Sequence, residues 1–135
     1  MRILLIEDEA LIALDAETSL IAAGHEVIGP YKTRGDALEA AAREKPDIAI
    51  VDINLAGHNE GLGIVRALYA QFGIRSVFAT GQPDLARSNA ENAFGVLPKP
   101  YSSYDLVNTF PVLERMLTGG VAPPPTIPAG LELFC

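Results

Sequence analysis

The sequence predicts an α/β fold in which five short strands form one parallel sheet with helices on both faces. Two observations predict it. The strands are unbroken apolar runs, such as Ile3–Ile6 and Ile48–Val51, of the kind a sheet buried on both faces requires. Each run is followed by a stretch with helical periodicity and helix-terminal residues. Repeated strand–helix units close through right-handed crossovers into a parallel sheet.

The elements follow in order. Residues 2–6 are the first strand, and 10–23 a helix stopped at Gly24. Residues 26–30 form a short second strand. Thr33, with Asp36 three residues on, opens a helix that runs to about Lys45 and is ended by Pro46. Residues 47–52 are the third strand, and 54–60 a polar loop containing glycine. The third helix spans about 61–72, with Leu62, Val65, Leu68 and Phe72 on one face. Residues 75–80 are the fourth strand. Pro83 suits the first turn of a fourth helix ending at Gly95, weakened by Ser88, Asn89 and Asn92. Val96–Leu97 is a minimal fifth strand. Ser102 and Asp105 open the last helix, whose apolar face is Leu106, Phe110, Leu113 and Leu117. Pro111 predicts a kink or break in it near 107–110.

Composition narrows the function. Of 135 residues, 49% are hydrophobic, enough for a packed core. No apolar run approaches the ~20 residues of a membrane span, and the N-terminal run ends at once in Glu7-Asp8-Glu9, unlike a signal peptide. The expectation is a cytoplasmic protein with no membrane partner. The net charge of −7 and the lack of a basic stripe argue against direct nucleic-acid binding. The single cysteine, Cys135, makes neither an internal disulfide nor a zinc site.

In open parallel sheets of strand order 2-1-3-4-5, the flavodoxin-like arrangement, ligands bind beyond the carboxyl ends of the strands. Those ends carry Glu7-Asp8, Asp52, Thr80-Gly81 and Lys99-Pro100. Each has an ordinary reading by itself, as a solubilising acid, a turn residue or a surface charge. Together at successive strand ends they make a chemical set. Clustered carboxylates repel one another, and a hard divalent cation relieves that repulsion. Mg²⁺ prefers oxygen ligands and keeps several waters, so Asp8 and Asp52, with Glu7 directly or through water and the Asn54 backbone carbonyl, form a candidate site. Asp52 is then placed to act as a carboxylate nucleophile on phosphorus. Phosphoryl transfer needs positioning and charge neutralisation above all. Lys99, the Thr80 hydroxyl and the backbone amides of Ile53 and Gly81 supply both, and Gly81 leaves room for the group.

These four blocks resemble the receiver domain of bacterial two-component response regulators over residues 1–117. The resemblance implies that Asp52 accepts phosphate from a histidine kinase or a histidine phosphotransfer protein. It also implies a cis peptide between Lys99 and Pro100, and a protein that catalyses only its own phosphorylation and dephosphorylation. Two positions depart from the family pattern. Val96 stands where an aromatic residue usually moves with the threonine, and Ala56 stands where proline is common. Phe78-Ala79-Thr80-Gly81 resembles the signature of a subgroup that lacks this aromatic and is associated with general stress-response phosphorelays, although Gln82 replaces its usual aromatic. Gln82 and Asn54 flank the path of water to a phosphoaspartate.

Other readings stay open. An aspartate-nucleophile phosphatase would commonly carry a second aspartate where Asn54 stands, and asparagine is no proton donor of that kind. A pseudo-receiver would keep the scaffold without the chemistry. His25 reads as a turn residue and His58 as a solvated loop histidine near Asp52. Residues 118–135, with Pro123, Pro124, Pro125 and Pro128, have linker composition and leave no room for an output domain. They read as a loose tail, or else Leu131, Leu133 and Phe134 dock on this domain or on a second copy, making a homodimer, for instance as an added strand.

Overall fold

The computed structural model describes residues 1–55, 57–120 and 125–134. Ala56, Pro123, Pro124 and Cys135 lie outside the described residues. The strands are β1 (Arg2–Ile6), β2 (Glu26–Tyr31), β3 (Ile48–Val51), β4 (Ser76–Thr80), β5 (Ala93–Pro98) and β6 (Glu132–Leu133). The helices are α1 (Ala10–Ala22), α2 (Arg34–Glu44), α3 (Glu60–Phe72), α4 (Pro83–Arg87) and α5 (Ser103–Thr118). They build one sheet of order β2-β1-β3-β4-β5-β6, the expected order with one strand added. All pairings from β2 to β5 are parallel, and only β5–β6 is antiparallel.

Strand alternation divides the core in two. Leu4, Ile6, Val51, Phe78 and Val96 point to the side covered by α2 and α3, where Ala40, Ile64, Val65 and Leu68 meet them. Ile3, Leu5, Ile50, Val77 and Leu97 point to the other side, against Ala16 and Leu20 of α1 and Leu106, Phe110 and Leu113 of α5. This two-sided burial is what the unbroken apolar runs encode. The anticipated caps form, since Thr33 Oγ1 accepts the Asp36 amide at 3.3 Å and Ser102 Oγ accepts the Asp105 amide at 3.0 Å.

Three expectations are corrected. Helix α4 ends at Arg87 rather than reaching Gly95. The Ser88 hydroxyl and the Asn89 amide turn back to the carbonyls of Asp84 and Leu85, and Asn92 adopts a left-handed φ of 66°, so the polar residues stop the helix. The freed chain lengthens β5 to six residues that pair with β4 from Ala93 to Pro98, with one register shift at Phe94. Helix α5 runs through Pro111 without a break. Phe110, Val112 and Leu113 are buried around it, and that packing offsets the ~3 kcal/mol an interior proline costs. Finally, the loose reading of the tail gives way to the other one, docking on this domain as an added strand, because β6 extends the sheet at β5.

Among the described residues, the Ser76 hydroxyl is the one buried side-chain polar atom without a hydrogen-bond partner. An unpaired buried hydroxyl is destabilising, so Ser76→Ala is expected to raise stability by about 1 kcal/mol, read from chemical denaturation.

Candidate functional site

The carboxyl ends of β1, β3, β4 and β5 form one rim. Parallel pairing aligns Ile6 with Val51 and Phe78 with Val96, which brings the residues that follow them together. The Asp52 amide donates to Ile6 at 3.0 Å, and the Lys99 amide donates to Thr80 at 2.9 Å. The backbone ladder therefore fixes where the side chains start. Glu7, Asp52 and Thr80 are buried at 3%, 4% and 0% exposure, which is unusual for two carboxylates.

Lys99 joins them. Its Nζ lies 2.6 Å from Glu7 Oε1 and 3.0 Å from Asp52 Oδ2, with Glu9 at 3.9 Å. Burial alone would favour the neutral amine, but hydrogen bonds to Glu7 and Asp52 outweigh it and hold the Lys99 pKa above its ordinary value. Glu7 is pushed up to about 7, first by burial and then by the charge of Asp52, against the pull of Lys99. One ammonium thus sits among more negative charge than it neutralises. Carboxylate oxygens of Glu7, Asp8 and Asp52 lie within 4.8 Å of one another, a spacing at which a metal ion could be held. An acid whose pKa is raised first by burial and then by the charge of Asp52 fits a divalent cation, which would offset both.

The raised acid has a consequence for the metal-free protein. Between pH 4.5 and about 7 the folded state keeps a proton on Glu7 that the unfolded chain has released. Stability from this group is therefore fully present below pH 4.5 and lost as pH rises through 7. In chelator-treated samples, Glu7→Gln is expected to remove this fall, as read from the difference between wild-type and variant melting temperatures across the same range.

Other site residues fall where the sequence places them. The Asn54 amide donates to Asp52 Oδ1 at 3.3 Å, and the Gln82 amide donates to Thr80 Oγ1 at 3.2 Å. A methyl group at Gly81 would meet nothing within 4 Å, so the space beside it is open. The Lys99–Pro100 peptide is cis, and Val96 is fully buried in the core. His58 is exposed, while its backbone pairs with Leu55 in both directions at 2.8 and 3.0 Å. His25 lies at the opposite rim, just before β2. Its Nδ1 is 3.0 Å from the Met1 amine and its ring packs on Phe110.

Around Gln82, already marked beside the path of water, the structure adds residues that the sequence did not single out. An open cleft of about 750 Å³ lies over Asp52, walled by Leu11, Ile12 and Asp15 of α1 and by Tyr101 after Pro100. Burial and the Glu7 charge push the Tyr101 phenol up to about 12, so it stays protonated. Gln82 Nε2 donates to Asn59 Oδ1 at 3.3 Å and ties the β4 loop to the β3 loop. Gly61, at the start of α3, lies directly against the Asp52 backbone. No spacing rule marks these residues, because each acts through a contact made only by the folded chain.

A buried acid set and a lysine on a cis peptide, on this strand order, coincide with a match to the family described as response regulator receiver domain over residues 3–110. The chain belongs to that family. The receiver is 39% identical over 102 residues to the phyllosphere-induced regulator PhyR of Methylorubrum extorquens, a match covering 73% of this chain and 38% of PhyR. It is 33% identical over 110 residues to the transcriptional regulatory protein PdtaR of Mycobacterium tuberculosis, covering 78% of this chain and 53% of PdtaR. The receiver therefore spans about two-fifths to one-half the length of these relatives. The solution structure of the PhyR receiver domain of Erythrobacter litoralis matches with a TM-score of 0.74 at 28% identity, covering 93% of this chain and 95% of that one. Membership places the protein in two-component phosphorelay signalling. Among the described residues, no helix is long and apolar enough to cross a membrane.

Proposed function

We propose that this receiver takes a phosphoryl group onto Asp52 from a phosphohistidine of a kinase or phosphotransfer protein and signals through a protein partner. The observation that carries this reading is the buried Asp52 carboxylate held by Lys99 at 3.0 Å, beside two further acids, under an open cleft. In the transfer, an Asp52 oxygen forms a P–O bond as the P–N bond to the donor imidazole breaks, and the imidazole leaves as a neutral base after taking a proton from solvent. Glu7, Asp8, Asp52 and the Asn54 carbonyl would hold Mg²⁺. The ion would neutralise phosphoryl charge when bound. Lys99 neutralises a second share of that charge. The Thr80 hydroxyl and the amides of Ile53 and Gly81 donate to the remaining oxygens.

The net charge of −7 supports an output through a protein rather than through DNA. PhyR and PdtaR are named as regulators, the latter as transcriptional, and a regulatory output by way of a partner agrees with both names. The Phe78–Gly81 run and the buried Val96 support placement in the subgroup without a switch aromatic. Asn54 in place of a proton-donating aspartate supports a switch or phosphate shuttle over a turnover phosphatase.

The test is incubation with acetyl phosphate, with and without Mg²⁺, followed by intact mass. A Mg²⁺-dependent gain of one phosphoryl group is expected. No gain from acetyl phosphate, and none from a phosphorylated histidine phosphotransfer domain, would reduce the chain to a scaffold without the chemistry.

A further inference from the structure

The tail docks on the edge of β5 through residues 130–134. Five successive tail residues are each read there by a different feature. Gly130 passes close to α5: a Cβ there would lie 2.5 Å from Asp105 Oδ2, so any larger residue must push the Asp105 carboxylate aside, and a small one fits as it stands. Leu131 is buried at 7% exposure in the cluster under α5. Glu132 accepts from Arg87 Nε through both carboxylate oxygens, at 2.9 and 2.7 Å, and Arg87 also pairs with Asp84. Leu133 packs on the α5 side of the sheet and Phe134 on the opposite side, so the segment straddles the edge. Backbone pairing sets the register, with Gly95 opposite Leu133, Val96 opposite Glu132, and the Phe134 amide donating to Phe94 at 2.9 Å.

Gly95 is the complement on the acceptor side. A Cβ there would lie 2.2 Å from the Glu132 carbonyl oxygen and 3.0 Å from Leu133 Cα, and its nearest neighbours are all atoms of the tail. Glycine weakens a strand, and Gly95 also sits where the β4–β5 ladder shifts register, but the atoms that a Cβ would strike belong to the tail. The docked strand is only two residues long, and so short a pairing is held by its side-chain anchors more than by its ladder.

We propose that the edge of β5, with Arg87, Gly95 and Asp105, is a binding site for an extended peptide of the pattern small–apolar–acidic–apolar–aromatic, filled in cis by Gly130–Phe134. Strand addition supplies the affinity, and the side-chain positions supply the selectivity. While the tail is in place the α4–β5 edge is closed to other chains, so any partner that uses this edge must displace it. The linker holds the tail at high effective concentration, and a free peptide competes poorly with it.

The test uses the full chain and a labelled peptide of residues 128–134. In a variant with Leu131→Ser, Leu133→Ser and Phe134→Ser the groove is intact and its resident is weakened. Peptide binding there is expected to be roughly tenfold tighter or more than to wild type. Gly95→Val closes the groove, so it is expected to bind no peptide and to lose amide protection at Phe134; its far-ultraviolet spectrum checks that it folds. Arg87→Glu, made in the triple-serine background, tests the charge reading without touching the strand. It should weaken the peptide and regain binding when the peptide's glutamate is replaced by lysine. Equal binding to the triple-serine variant and to wild type would overturn the proposal, as would a Phe134 amide in wild type that exchanges as fast as in free peptide. Protection that appears only as the chain dimerises would assign the segment to a second copy and overturn the cis assignment.

Discussion

Asp52→Asn is expected to abolish phosphoryl labelling and, in the same molecule, to stabilise the metal-free fold. The first effect follows from chemistry. An amide oxygen is a poor nucleophile toward phosphorus, while asparagine keeps the size of the side chain and an oxygen to accept from Lys99 and from the Asn54 amide, now at 3.0 and 3.3 Å from Asp52. The second follows from charge. Glu7, Asp8 and Asp52 crowd within 4.8 Å, and Lys99 is the cation set directly between Glu7 and Asp52. After burial, the Asp52 charge is a cause of the raised Glu7 pKa, so these two acids repel each other. Removing one negative charge relieves that repulsion by about 1 kcal/mol, or roughly 4 °C in melting temperature. The gain should appear in chelator and shrink or reverse in excess Mg²⁺, which only the wild-type set would bind well. Labelling of the variant at wild-type stoichiometry would move the acceptor elsewhere. A loss of several kcal/mol would make Asp52 chiefly the structural partner of Lys99.

How much of this was legible in the sequence depended on whether the signal was local. Ile3–Ile6 and Ile48–Val51 announced strands buried on both faces because two-sided burial leaves no polar alternation. Thr33 and Ser102 announced helix starts because a cap is a contact over three residues. The acid and lysine blocks meet at one rim because parallel pairing carries every strand's carboxyl end to the same side, so order along the chain fixes position in space. Tyr101, Asn59 and Gly61 were invisible because each acts through a contact made only by the folded chain. Pro111 misled for the same reason: the local cost was real, but the buried Phe110 and Leu113 outweighed it. The apolar end of the tail suggested a docking strand, but its acceptor residues Gly95 and Arg87, about forty residues earlier, carry no local mark of that role.

The raised acid and the docked tail also show two kinds of departure from an easy fold. Burying Glu7 and Asp52 beside one another opposes stability in the metal-free protein, a conflict expected at a functional site rather than in a core chosen for packing. A glycine within β5 likewise weakens a strand, and what it admits is a segment of the same chain.

Gly61→Ala is expected to be the most damaging small substitution near the site, although it adds one carbon to a helix and alanine is the better helix former. A Cβ at Gly61 would lie 2.0 Å from the Asp52 carbonyl oxygen, 2.6 Å from Ile53 Cα and 2.8 Å from the Asp52 carbonyl carbon. All three are backbone atoms, so no side chain can swing aside. Either α3 backs away from the end of β3, or the peptide carrying Asp52 and Ile53 shifts. The Gly61 amide bond to the Ile53 carbonyl, now 2.9 Å, resists the first route, and the second moves the acceptor and an amide that would bind the phosphoryl group. Overpacking against backbone of this kind costs about 2–4 kcal/mol, against the ~1 kcal/mol that alanine gains over glycine in a helix. Gly63→Ala is the matched control. It sits two residues along the same helix, and its Cβ would meet only the end of the Arg34 side chain at 3.2 Å, which is free to move. Denaturation midpoints should therefore fall for Gly61→Ala and hold or rise for Gly63→Ala, and under native conditions only the first should slow labelling by acetyl phosphate. Equal stabilities would mean that α3 yields freely at its first turn. The close approach of that helix would then be a convenience of packing and no part of how Asp52 is held.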